Sequence, residues 1–589
     1  MSNQSIQEAV ARARARMAEQ KEAADRKAGK HLLLNVVKSE PPTQVVEPTV
    51  HNTAHSLRWN PEQLNAIQYG MYRKSFCLIG AAGTGKTTTL KGLLKELMEA
   101  NKCPPLEAGT KHLSAASPGI VLVSYTRRAV RNIAKQMPED LKPHCLTIHK
   151  LIEFEPEVYE KEMFDEYGIS IGMRNTMRFA PQRTRFNPLP RNLTTIVIDE
   201  ASMVSIELFD LLCEALPNPR NVQFIVLGDL NQLPPVYGQA ILGKMLLEKP
   251  IIELTQVYRQ ALESPIISLA LAVKNENFKT FNEDCNNGTF AIIGNGKQAK
   301  IDARNMLEKI TIEREGRGKV TLHPWKKKWE QDDALTAIKG QINAWITSGE
   351  YKPDEDLILC PWNQSFGTDE LNKSIANKLG RLRNADVYEI IAGYNKYYFA
   401  VGDKLMIDKQ EALILKIERN PKYAGKRPGP HSPFLDRWGC YQKTVTAEDD
   451  DIDMSDADID ALLESMTVAD ERTTEASHIV RVKMLDSDEE VSISKSAVIN
   501  GSSFGYAITV HKAQGSECRK VFFITHYCHS AMLMRELVYT AITRAAEELY
   551  IIMSPEMLNT AAKRPRIKGN TLAAKLAWYQ SKMDERMAS

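Results

Sequence analysis

A chain of 589 residues predicts three or four structural units at about 100 to 200 residues each. Hydrophobic residues make up 43% and charged residues 25%, and a net charge of +2 excludes a uniformly basic surface, so any nucleic-acid site must be a local patch. No apolar run reaches the roughly 18 residues of a membrane helix, no apolar signal core opens the chain, and the nine cysteines stand without a C-x-x-C pair, which argues for reduced thiols in a cytoplasmic protein.

Residues 1–55 read as a tail and linker. The stretch IQEAVARARARMAEQKEAADRKAGK is helix-forming but has no sustained apolar stripe, and SEPPTQVVEPTV breaks it with proline. From residue 56 to 290 short apolar runs at 76–79, 120–123, 195–198 and 224–227 alternate with helical stretches. That alternation predicts a parallel sheet with crossover helices. Similar runs at 357–359, 521–524 and 549–552 predict a second α/β unit within 291–589. Two segments interrupt the pattern. Residues 151–191 are basic, aromatic and proline-containing, and read as an insertion. Residues 446–475 are strongly acidic. Their aspartate spacing invites a calcium loop, but the sixth loop position holds no glycine for the sharp turn, so a solvated surface insertion is expected.

The first run leads into Gly80-Ala81-Ala82-Gly83-Thr84-Gly85-Lys86-Thr87-Thr88, followed by Leu90, Leu93, Leu94 and Leu97 at helical spacing. Strand, glycine-rich loop and helix in that order form a phosphate cradle: backbone N–H groups turn inward, and the helix adds its positive end. Lys86 is expected on the β- and γ-phosphates of ATP and Thr87 on Mg2+. The run TTIVIDEAS delivers Asp199 and Glu200 to a strand end, Asp199 for the metal and Glu200 for the attacking water, which points to hydrolysis rather than binding alone.

Four further stretches, VLGDLNQLPPV, LTQVYRQ, YAITVHKAQGSE and VYTAITRA, resemble in order and spacing the motifs of superfamily 1 DNA helicases. The similarity is to the RecD-like branch, within it the phage Dda type, and spans roughly residues 57 to 555. The resemblance implies an α/β protein of two tandem RecA-like P-loop parallel-sheet domains, with a small pin in 151–191 and an SH3-like β insertion at about 400–500. It implies that Gln63 reads adenine, a helix-surface glutamine being the alternative. It implies that Gln232 senses the γ-phosphate, that Arg259 and Arg544 act as arginine fingers, and that Gln514, Gly515 and Glu517 line the nucleotide cleft. DNA contacts are implied for Thr126, His149, Thr509, His511 and Lys512, with Asn363 a further candidate. Tyr125 stands where the family usually has proline. Phe179, Phe186 and the arginines at 178, 183 and 185 are the candidates for the pin; the alternative is a loop whose aromatics pack on the host domain.

The expected function is therefore ATP-dependent translocation on single-stranded DNA, 5′ to 3′ by resemblance, with unwinding at single-strand/duplex junctions in replication, recombination or repair. Replication or recombination proteins are possible partners, no membrane is involved, and a monomer in the cytoplasm (of a host, for a phage protein) is expected to suffice. A DNA-stimulated ATPase that remodels protein–DNA complexes and a non-catalytic P-loop scaffold are the rival readings. No nuclease-like acidic cluster is evident.

Overall fold

The structure, a computed structural model, describes residues 59–588 except 165–169, 236–238, 258–262, 279–309, 315, 324–330, 365, 408–409, 426–427, 430, 432–474 and 486–488. The N-terminal tail, Arg259 and the acidic stretch as far as residue 474 lie outside the described residues.

The first sheet forms from short runs buried on both faces. In chain order its region contains β1 (Phe76–Gly80), β2 (Ile120–Ser124), β3 (Cys145–Thr147), a separate antiparallel hairpin of β4 (Phe154–Phe164) and β5 (Ser170–Pro181), then β6 (Thr195–Ile198), β7 (Gln223–Gly228) and β8 (Ile251–Leu254). The six sheet strands are all parallel, in the order β3-β2-β6-β7-β1-β8. Alternate residues feed two cores. Cys77, Ile79, Val121, Val123, Ile196 and Ile198 face one, while Phe76, Leu78, Ile120, Leu122 and Val197 face the other with Leu90, Leu93, Leu94 and Leu97 of the helix Lys86–Glu99. That is the period of two expected of strands covered by helices on both sides.

The second sheet is built from β9 (Ile310–Arg314), β10 (Gly318–His323) and β11 (Leu357–Cys360), and is completed after a smaller β unit. That unit comprises the hairpin β12 (Val387–Ala392) and β13 (Asn395–Ala400), then β14 (Lys404–Ile407), β15 (Gln410–Arg419), β16 (Glu475–Met484), β17 (Glu490–Lys495) and β18 (Ser503–Phe504). The last five pair antiparallel in the order β17-β16-β15-β14-β18. The hairpin shares their core through Ile390, Ala392 and Phe399, so the inserted β unit starts at Val387 rather than near residue 400. The chain then returns through β19 (Ala507–Thr509), β20 (Cys518–Ile524) and β21 (Ala545–Ile552) to give the order β19-β11-β20-β21-β10-β9, parallel except at β9. Two parallel-sheet α/β units thus stand in tandem.

The final helix, Leu572–Ala588, departs from the sequence-based division at 291–589. Its Leu572, Leu576 and Tyr579 pack against the core of the first sheet. Gly243, in the helix Ile241–Glu248, makes room for it: a Cβ there would fall 2.5 Å from the Tyr579 ring. Among the described residues no helix is long and apolar enough to cross a membrane.

Candidate nucleotide cleft and nucleic-acid face

Sheet order explains why distant motifs meet. Strands β6, β7 and β1 are neighbours, so the loops at their carboxyl ends, carrying Asp199 and Glu200, Asp229 to Gln232, and Gly80 to Lys86, open onto one edge. Gly83 and Gly85 hold φ of 79° and 81°, a left-handed backbone that other residues adopt at a cost. The loop is closed by Thr84 Oγ1 donating to Ala81 O at 2.8 Å. Lys86 Nζ lies on the loop itself, donating to Gly80 O at 2.7 Å and Ala81 O at 3.2 Å. Thr87 is half-buried and Thr88 exposed at the start of the helix.

Burial and the adjacent Glu200 carboxylate push Asp199 up to about 7, with the Lys86 ammonium pulling the other way. Glu200 has φ 51°, a strained conformation for a side chain with a Cβ, at the point where the chain leaves β6. Gln232 is buried, its backbone N–H closes a turn onto Asp229 O at 3.2 Å, and its buried side-chain Oε1 has no hydrogen-bond partner among the described residues. Gln63 is fully buried rather than on the helix surface. Its Oε1 accepts from Asn60 N at 3.3 Å while Asn60 Oδ1 accepts from Gln63 N, a capping box that starts the helix Pro61–Met71.

The second unit reaches into the same edge from the helix Arg535–Ile542. Arg544 Nη1 stands 4.0 Å from Glu200 and donates to Ser516 O, while its Nε donates to Thr540 O. Two residues that sequence reasoning missed precede it, although both lie inside the stretch VYTAITRA. Tyr539 donates to Asp229 Oδ2 at 2.8 Å and accepts from the Ala82 N–H of the phosphate loop at 3.0 Å. Thr540 Oγ1 accepts from Leu233 N at 3.0 Å. Gln514 donates to Leu233 O at 2.7 Å, so it touches the loop after β7 rather than the phosphate loop. Gly515 faces the helix Arg127–Gln136: its O accepts from Asn132 Nδ2, and a Cβ on it would come 2.9 Å from Thr126 Oγ1. Glu517 is exposed.

The nucleic-acid candidates divide between the two units. Thr126 caps the helix Arg127–Gln136 by accepting from Ala129 N at 3.2 Å. His149 is half-buried in an edge-to-face row, 5.7 Å from the exposed Tyr125 ring and 5.0 Å from Phe154. In the second unit Thr509 is buried and accepts from Lys512 N, Lys512 is exposed, and His511 is held below its ordinary value by burial and Arg566. Asn363 is exposed and accepts from Thr368 Oγ1. The insertion is the β4–β5 hairpin, in which Phe179 lies opposite Pro156 and Arg178 opposite Glu157; their side chains lie outside what is described. Arg183 is not a wedge candidate in this structure: it pairs with Glu153 at 3.0 Å and donates to Pro188 O, tying down the foot of the hairpin. Arg185 pairs with Glu214 on the surface. Phe186 is 99% exposed, so it does not pack on the host unit.

The profile of the AAA domain family matches residues 63–238, and that of the UvrD-like helicase C-terminal domain matches residues 504–552. The chain is similar to the ATP-dependent RecD2 DNA helicase of Deinococcus radiodurans, 24% identical over 511 residues, covering 87% of this chain and 51% of that protein. It is also similar to the RecBCD enzyme subunit RecD of Mycolicibacterium smegmatis, 22% identical, covering 87% of this chain and 74% of that one. Among solved structures, Pif1 helicase from Bacteroides in complex with ADP-AlF3 and ssDNA aligns over 90% of this chain and 98% of that one, at 14% identity and a TM-score of 0.42. The chain thus spans about half the length of the RecD2 relative. The two family matches and these relatives make the chain similar, over most of its length, to helicases of the RecD type.

Proposed function

We propose that this chain is an ATP-driven DNA helicase that translocates 5′ to 3′ on single-stranded DNA and opens duplex at the junction. The observation that carries the reading is the placement of Arg544, from the second unit, 4.0 Å from Glu200 at the end of β6 in the first. An ATP site completed from both sides of a cleft makes hydrolysis a change in the gap between two units. One curated relative is named as an ATP-dependent DNA helicase, which supports DNA as the track.

The residues present fit the nucleotide and its metal. Thr87 hydroxyl and Asp199 carboxylate are hard oxygen donors suited to Mg2+, and a cation bound there would offset the effect of burial and of Glu200 on Asp199. Magnesium bound there would neutralise charge on the phosphates. With nucleotide bound, Lys86 would turn from its loop carbonyls to the phosphates, and Glu200 would orient the attacking water. Gln232, with its buried Oε1 as an acceptor, would sense the γ-phosphate. Arg544 supplies a planar, permanently charged fork for the charge that develops during transfer. Arg259 would act as the second such fork.

Thr126, His149, Thr509, His511, Lys512 and Asn363 would hold the strand by its backbone, which gives grip without sequence preference. The β4–β5 hairpin, with Phe186 beside its foot, would stand at the junction as the pin. Gln63 would read the adenine edge of the nucleotide, and Gln514, Gly515 and Glu517 would line its cleft. We further propose action as a monomer in the cytoplasm, with replication or recombination proteins as partners.

Unwinding of 5′-tailed and 3′-tailed duplexes in parallel, with ATP and Mg2+, tests the reading. Strand release from the 5′-tailed substrate alone is expected. ATP turnover without release from either substrate would favour remodelling of protein–DNA complexes, and no turnover at all would leave only a scaffold.

A further inference from the structure

A chain of hydrogen bonds leads from the nucleotide edge to the C-terminal helix. Lys575 Nζ donates to Asn231 Oδ1 at 2.8 Å and to Leu230 O at 2.9 Å. Asn231 donates through Nδ2 and through its backbone N–H to Asp229 Oδ1, at 2.8 and 2.9 Å. The other oxygen of Asp229 accepts from Tyr539, whose hydroxyl in turn accepts from Ala82 N–H in the phosphate loop. Donor chemistry fixes the direction of the chain. An ammonium can only donate and an ionised carboxylate can only accept, so the amide between them must turn its oxygen to Lys575 and its nitrogen to Asp229.

Every member is buried: Lys575 is 8% exposed, Asn231 8%, Asp229 1% and Tyr539 1%. Docking of the helix does not require the ammonium, because Leu572, Leu576 and Tyr579 already pack on the first core. Burying an amine is costly, and burial pushes Lys575 down to about 8. What the ammonium adds is a fixed position for residues 229–231. The turn from Asp229 O to Gln232 N makes that position decide where the buried Gln232 side chain sits.

We infer that Lys575 is a positioning residue for ATP hydrolysis, holding the loop of residues 229–232 from the C-terminal helix, so that this helix is a working part of the nucleotide site. The inference rests on the reading of the cleft as an ATPase. It assigns no contact between Lys575 and nucleotide: the ammonium acts through Asn231 and Asp229.

Steady-state ATP hydrolysis of the full chain with saturating single-stranded DNA tests it, using wild type, Lys575→Met, Lys575→Arg, Leu576→Ala and Lys86→Ala. Lys575→Met is expected to lower kcat about tenfold through a misplaced loop, with KM for ATP within about twofold of wild type. Its Tm should fall, since methionine leaves the buried Asn231 Oδ1 and Leu230 O without their donor, and Leu576→Ala controls for that loss of stability. Lys575→Arg should recover part of kcat. A wild-type kcat for Lys575→Met overturns the inference. So does an equal deficit in Leu576→Ala, which loosens the same helix without touching the loop. Absence of turnover in wild type, or turnover in Lys86→Ala equal to wild type, would instead overturn the ATPase reading on which the inference stands.

Discussion

At the scale of single residues, the nucleotide edge spends stability on geometry. Glu200 sits at φ 51° beside an Asp199 whose carboxyl is raised by burial and by Glu200 itself. Glu200→Gly should relieve both strain and repulsion, raising stability by up to about 1 kcal/mol while abolishing ATP turnover. Chemical denaturation alongside an ATPase assay checks this, and a destabilised variant would contradict it. Arg544 is held by Ser516 O and Thr540 O, which presents its fork towards Glu200. Arg544→Lys keeps the charge but loses the fork, so kcat should fall by roughly a hundredfold or more with little change in KM. Retention of most of kcat would show that Arg544 serves only to hold the turn before β21.

At the scale of elements, two buried histidines make the second unit and its inserted β sheet sensitive to acid. His478 on β16 is pushed down to about 4 by burial, with Arg419 and His431 adding to the effect, and His526 beyond β20 is pushed to about 4 by burial and His529. Both therefore fold neutral. The unfolded chain takes up their protons near pH 6.5, so between about 6.5 and 4 it binds more protons than the native state, and stability falls as pH is lowered through that window. Denaturation midpoints at pH 7.5 and pH 5 should differ by about 1 kcal/mol or more per histidine; equal midpoints would refute this. The helix Leu572–Ala588 offers a packing test. Gly243→Val should clash with the Tyr579 ring and cost about 1 to 3 kcal/mol, and Tyr579→Ala in the same chain should recover part of that loss.

At the scale of the whole molecule, the two sheets and the small β unit are joined by two sets of contacts. On one side Tyr539 and Thr540 meet the phosphate loop and the loop after β7. On the other, Arg128 of the helix Arg127–Gln136 pairs at 2.6 Å with Glu411 of β15, which also holds Lys404 at 3.2 Å. Burial pushes the Glu411 carboxyl up, but Lys404 and Arg128 outweigh it and hold it below its ordinary value. Glu411→Ala would leave two buried cations facing each other and should cost about 3 kcal/mol. A thermal melt that is unchanged would mean the first unit and the β unit part without penalty.

Much of this molecule follows from local patterns. Glycine spacing and a following leucine stripe set the phosphate loop, because positive φ and helical periodicity are properties of a few neighbouring residues. Buried runs identified β1, β2, β6, β7, β11, β20 and β21, since a strand covered on both faces must be apolar throughout. The very short β3 and β19, and β8 with its exposed Glu253, left no such run. Tertiary structure alone decided the rest. Arg183 became the anchor of a hairpin, because its partner Glu153, a residue well back along the chain, determines what its side chain does. The role of Lys575 was out of reach for the same reason: its acceptors lie more than three hundred residues earlier, at positions 230 and 231. A lone lysine in a helix reads as solvated, and only the return of that helix to the first sheet makes it part of the nucleotide site.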